Sequence, residues 1–226
     1  MKGTFYGVGV GPGDPELMTL KAVRIIKECD IIVNPSSNKD TCLAYQIASQ
    51  VVSMEKKIVL EVNLPMTKDK NLLKETYDLA AERILPFLES GKDVAMLTIG
   101  DPTIYSTIIY IQDRIEKSGF ETRIINGVTS FCAASAVLNQ SLAEREESLH
   151  IYPGSYDIKE ALSLSGTKVF MKSASKFHEV KEQLKDLPCE FSMVENCGLE
   201  QECMIKGIGN FPEKSSYYTI IIAREK

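Results

Sequence analysis

The sequence predicts two α/β domains: an N-terminal parallel sheet with helices on both faces, then a mixed sheet, with a ligand cleft between them. Two observations predict this. In residues 1–130, short Val- and Ile-rich runs alternate with amphipathic helical stretches, the pattern of a parallel sheet covered on both faces. In residues 131–226 the strand-like runs crowd together, and the last two leave no room for a helix between them. That requires some antiparallel pairing. The polar stretch Asn139–Ser148 reads as a linker, and the boundary falls between Gly127 and Ser148.

In the first domain the strand runs are Thr4–Val10, Asp30–Val33, Lys57–Val62, Val94–Ile99 and Thr122–Ile125. Helical patterns are clearest at Glu16–Lys27 and Leu72–Leu88. In the second of these, Leu72, Tyr77, Ala80, Ala81, Ile84, Leu85 and Leu88 share one face. Gly91 ends that helix, and Pro86 predicts a kink or break before it. In the second domain the strand runs are Leu149–Tyr152, Lys168–Met171, Cys189–Val194, Cys203–Ile208 and Tyr217–Ala223. Helices are expected near Ile158–Leu164 and Lys176–Leu187.

With 31 acidic against 26 basic residues, the net charge of -5 supplies no basic field for nucleic acid. No window approaches the ~18 apolar residues of a membrane span, and the N-terminus lacks a charged-then-apolar signal segment, so a cytoplasmic protein is expected. Six scattered cysteines without a C-x-x-C pair, and only two histidines, give no zinc spacing; free buried thiols and no metal are expected.

Three glycine-bearing loops carry the chemistry. The first, GVGVGPGDPELMTL from Gly7 to Leu20, resembles a dinucleotide loop but fails G-x-G-x-x-G in both frames, at Pro12 and at Asp14. Its local reading is a turn at Gly11 and Gly13, with Asp14 as N-cap and Pro15 at the first helical position. The second, LTIGDPTIYST from Leu97 to Thr107, repeats Gly-Asp-Pro at a strand end. There Asp101 could accept from a ribose or an amine and would repel a phosphate. The third, IINGVTSFCAASA from Ile124 to Ala136, offers the hydroxyls of Thr129 and Ser130. Each loop also reads as a plain helix cap. Carboxylate and hydroxyl groups without Lys or Arg suit an adenosine-like ligand without phosphates, such as S-adenosylmethionine. A Rossmann dehydrogenase is the weakest alternative.

GVGPGDP, LMTLKAV, CDIIV, LTIGDPTIYST and INGVTS, followed by VFMK, VENCG and YYTIIIA, together resemble the tetrapyrrole methylase family across nearly the whole chain. Within it, GVGVGPGDPELMTLKAV, NLPMTKDK and GDPTIYST look most like the precorrin-2 / cobalt-factor II C20-methyltransferases of cobalamin biosynthesis. The resemblance implies S-adenosylmethionine contacts at Pro12, Ile99, Gly100, Asp101, Ile104, Thr129, Ser130, Lys172 and Cys197. The last two depart from the commoner Met and Gly, which implies contact through their backbone. Tyr105 is added from the loop itself, as a cofactor contact and candidate donor, although a buried tyrosine bonded to backbone is the plainer reading. Gly11, Gly13 and Asp14 would floor the macrocycle site. Lys68, Lys70 and Lys39 are candidate partners for its carboxylates, against the plainer reading of solvated surface. The acid/base aspartate of the related uroporphyrinogen methyltransferases aligns with Pro35, so that mechanism does not carry over and no general base is assigned. A homodimer is implied. Alternatives are a sister methyltransferase for another ring position, diphthine synthase with its protein substrate, and a non-enzymatic adenosine-ligand sensor.

Overall fold

Five parallel strands form the first sheet: β1 (Thr4–Gly9), β2 (Ile31–Asn34), β3 (Ile58–Glu61), β4 (Val94–Thr98) and β5 (Glu121–Ile125), in the order β3-β2-β4-β1-β5. This computed structural model describes residues 2–36, 38–65 and 67–225, and of residue 39 the backbone alone. The chain falls into two units, Met1–Thr129 and Ser130–Lys226.

Side-chain alternation along the strands splits the core of the first unit in two. Ile32, Ala95 and Leu97 face α1 (Leu20–Glu28) and α2 (Leu43–Val51). Ile31, Val33, Val94 and Met96 face α3 (Lys70–Glu89) and α4 (Ile108–Lys117). Helices therefore cover both faces, as the alternating runs predict.

Two helices differ in detail from expectation. The stretch Glu16–Lys27 is not one helix. A 3-10 turn at Pro15–Leu17 comes first, capped by Asp14 through the Glu16 amide at 2.8 Å. The chain then extends through Met18, and α1 restarts where Thr19 Oγ1 accepts from the Ala22 amide. In α3 the helix runs through Pro86 to Glu89 without a break. The proline stands in the last turn, so only one turn of helix follows it. Gly91 (φ 82) follows the C-cap, and the Lys92 amide reaches back to Phe87 O at 3.0 Å, a Schellman closure. Of the expected apolar face, Leu72 is exposed and Leu73 packs inward in its place.

The second unit holds β6 (Leu149–Pro153), β7 (Thr167–Met171), β8 (Cys189–Glu195), β9 (Cys203–Lys206) and β10 (Thr219–Glu225), ordered β6-β7-β10-β8-β9. The sheet is mixed, as expected, but its antiparallel pairs do not join the last two strands. β9 turns back on β8, and β10 inserts between β7 and β8, antiparallel to both. Its core includes α6 (Lys159–Ser163) and α7 (Phe177–Leu184), while α5 (Ser130–Val137) touches β10. All six cysteines are free; Cys29, Cys42 and Cys197 are buried as expected, Cys189 is half-buried, and Cys132 and Cys203 are exposed. Among the described residues no helix is long and apolar enough to cross a membrane.

Candidate active site

Parallel pairing puts the carboxyl ends of β1 to β5 on one edge of the sheet. Adjacent strands β1 and β4 send their chains to opposite faces, β1 toward α1 and β4 toward α4. Open α/β sheets bind ligands at such a switch point. The two Gly-Asp-Pro loops meet there. Gly11 and Gly100 form an isolated antiparallel bridge, with the Gly100 amide donating to Gly11 O at 2.7 Å and the Gly11 amide to Gly100 O at 3.3 Å. Both glycines have positive φ, 80° and 69°, which side-chain-bearing residues rarely adopt.

The third loop is tied to the same place. A Cβ on Gly9 would lie 2.5 Å from Gly100 O and 2.8 Å from the Gly127 amide nitrogen, so backbone fills the space where a side chain would be. Thr19 Oγ1 donates to Asn126 O at 3.2 Å. Asp101 joins the second and third loops directly. Its Oδ1 accepts from the Thr103 amide (2.7 Å) and hydroxyl (2.5 Å); its Oδ2 accepts from Asn126 Nδ2 (3.2 Å) and the Gly127 amide (3.0 Å). Burial alone would raise this carboxyl, but the bonds from Thr103, Asn126 and Gly127 outweigh it and hold it below its ordinary range.

Gly11, Pro12 and Gly13 are buried and Asp14 partly so. Ile99, Gly100, Asp101 and Ile104 lie in the loop after β4, and Thr129 and Ser130 follow β5. The Thr129 hydroxyl oxygen is buried without a hydrogen-bond partner among the described residues. Tyr105 is not a buried tyrosine: it is 45% exposed, with a left-handed φ of 49°. Lys68 and Lys70 are exposed at the same sheet edge, beyond β3, Lys70 opening α3 behind its N-cap Asp69. The side chain of Lys39 lies outside the described residues. In the second unit Lys172 (φ 57) follows β7 and Cys197 follows β8, between Asn196 (φ 54) and Gly198 (φ 78). Both strands run antiparallel to β10, so the two residues share one end of that sheet. Burial pushes the Lys172 ammonium below its ordinary value.

Two cavities lie elsewhere. One of about 210 Å³ includes Tyr156, Lys159 and Lys176 in the second unit, and one of about 520 Å³ lies beside Tyr45 and Lys57 in the first. Neither touches the glycine loops.

Sequence reasoning missed Asn126 and Asn34. The Asn126-Gly127 dipeptide at a strand end was the available signal for the first. The second ends β2 fully buried, and neither polar side-chain atom has a partner among the described residues. Only the polar residue closing an otherwise apolar strand marks it.

The model for tetrapyrrole (corrin/porphyrin) methylases matches residues 4–208. The chain belongs to this family. It is 41% identical, over 74% of its length and 71% of the relative's, to a probable cobalt-precorrin-2 C(20)-methyltransferase of Methanocaldococcus jannaschii. It is 30% identical, over 90% of its length and 88% of the relative's, to the cobalt-precorrin-2 C(20)-methyltransferase of Salmonella typhimurium. Its fold matches the uroporphyrin-III C-methyltransferase of Thermus thermophilus complexed with S-adenosyl homocysteine. The TM-score is 0.72 at 19% identity, covering 99% of this chain and 98% of that one. The three linked loops are thus features of a tetrapyrrole methylase.

Proposed function

We propose that this chain is an S-adenosylmethionine-dependent C-methyltransferase that adds a methyl group to C20 of precorrin-2 or cobalt-factor II in cobalamin biosynthesis. The observation that carries the reading is the 41% identity to a relative named for that reaction. The loop geometry supports it. No Lys or Arg falls within Gly7–Leu20, Leu97–Thr107 or Ile124–Ala136, so the loops offer a phosphate no counter-charge. They offer glycine backbone and, at Thr129, a buried hydroxyl oxygen with no partner among the described residues, which suits a neutral ribose or adenine edge.

The sulfonium of S-adenosylmethionine supplies an electrophilic methyl carbon. The chain's own task is alignment and exclusion of water, with the electron-rich C20 meso carbon as nucleophile. No protein nucleophile is needed. The backbone of residues 99–101 and the Thr129–Ser130 segment would hold the cofactor. Lys172 and Cys197 would add backbone contacts, for which the left-handed φ of Lys172 is suited. Gly11, Gly13 and Asp14 would contact the macrocycle, and Lys68 and Lys70 its carboxylates. A cytoplasmic homodimer belongs to the same reading.

Calorimetric titration with S-adenosylhomocysteine, with NADH as control, tests the cofactor. Binding of the first and not the second is expected; no binding by folded protein would sink the methyltransferase reading. Turnover at a different ring carbon would leave a sister methyltransferase, and methylation of an elongation factor would indicate diphthine synthase. Binding without turnover on any tetrapyrrole would indicate a sensor.

A further inference from the structure

We infer that Asp101 is a positioning residue: its carboxylate clamps the loops after β4 and β5 into one surface, and the ligand meets that surface through its backbone. The inference rests on the proposed function for what the surface binds. An ionised carboxylate has about four in-plane lone-pair positions, and four protein donors occupy those of Asp101: two from Thr103, one from Asn126 and one from Gly127. The residue is 6% exposed. No acceptor position is left for a ribose hydroxyl, so the sequence-level expectation of a direct side-chain contact gives way to an indirect one. The donors on Oδ2 come from 25 and 26 residues further along the chain, so the bonds fix the two loops against each other and not only within themselves.

The chemistry requires Asp rather than Asn. Each carboxylate oxygen faces a backbone N–H that can only donate, Thr103 on Oδ1 and Gly127 on Oδ2. An amide there must turn its NH2 toward one of them, donor against donor, whereas the Thr103 hydroxyl and a turned Asn126 amide can accept. The clamp can also be changed from its partner: Asn126→Ala removes one bond between the loops and leaves the carboxylate in place. A carboxylate that acted by touching the ligand itself would lose nothing by that change.

The test is S-adenosylhomocysteine affinity by calorimetry for wild type, Asp101→Asn, Asn126→Ala and the double variant, with thermal unfolding of each. Asp101→Asn is expected to weaken binding about tenfold, the equivalent of one buried hydrogen bond to a charged group. Asn126→Ala is expected to weaken binding in the same direction by about 3-fold, the worth of one hydrogen bond. The double variant is expected to lose less than the two single losses combined, and each loss to fall on KM for S-adenosylmethionine rather than on kcat. Unchanged affinity in Asp101→Asn or in Asn126→Ala overturns the inference. Should Asp101→Asn not fold, Asn126→Ala decides alone: weakened binding supports the clamp and unchanged affinity overturns it. If wild type binds no S-adenosylhomocysteine, the proposed function fails by itself. The clamp is then judged by melting midpoints, where Asn126→Ala melting at the wild-type temperature overturns it.

Discussion

The Gly127 amide donates to the Asp101 carboxylate at 3.0 Å across 26 residues of chain, and Gly9 fills the space beside that bond. A Cβ on Gly9 would stand 2.5 Å from Gly100 O and 2.8 Å from Gly127 N. The three strand-end glycines are first of all a packing solution. Three loops converge on the switch point of the sheet, and only backbone fits between them.

Gly9→Ala therefore forces backbone apart, which costs about 3 kcal/mol or more at the upper end of overpacking. Gly209→Ala, where nothing lies within 4 Å of the added Cβ, stays within about 0.5 kcal/mol of wild type. Urea unfolding of the two variants checks the contrast; equal stability would show that the loops are not packed this way.

Asp101 also makes stability depend on pH with a definite sign. Its carboxyl is held below the ordinary range, so its contribution is present above the unfolded value near about 3.9 and is lost as pH falls through the folded value. At neutral pH Asp101→Asn is expected to cost roughly 1–3 kcal/mol. The gap from wild type should close as pH drops below about 4. Melting midpoints across that range report it, and a gap that widens in acid would contradict the assignment.

Asn34 carries two unpartnered polar atoms in full burial at the end of β2. A buried amide without partners costs free energy, so Asn34→Val is expected to stabilise the protein by about 1 kcal/mol. Denaturant unfolding gives the answer. Destabilisation by a similar amount would mean that a buried water satisfies the amide.

Lys68 and Lys70 sit exposed at the edge of the sheet that carries the loops. If they meet macrocycle carboxylates, the double change to alanine raises tetrapyrrole KM about 3- to 10-fold, the worth of two exposed charge contacts. S-adenosylhomocysteine affinity should hold. An unchanged KM removes them from the substrate site.

Much of this is legible in the sequence. The Val- and Ile-rich runs and the amphipathic face of α3 read directly as a doubly covered parallel sheet, because alternation and helical period are local. Asp14 and Pro15 likewise gave a cap and a first turn. The interruption at Met18–Thr19 was harder to read, because Thr19 also bonds a carbonyl on a distant loop. The left-handed backbone of Tyr105 has no residue-type signal, since a tyrosine does not advertise positive φ. Asp101 was visible as a carboxylate at a strand end. Its partners at positions 126 and 127 were not, because no periodicity links residues 25 apart. The insertion of β10 between β7 and β8 escapes sequence for the same reason.

The most direct measurement is turnover with S-adenosylmethionine labelled with carbon-13 at the methyl group, on metal-free precorrin-2 and on its cobalt-loaded counterpart, with carbon NMR of the product. A labelled methyl carbon bonded to C20 is expected in one or both. Label at another ring carbon, or no transfer by protein that binds S-adenosylhomocysteine, would contradict it.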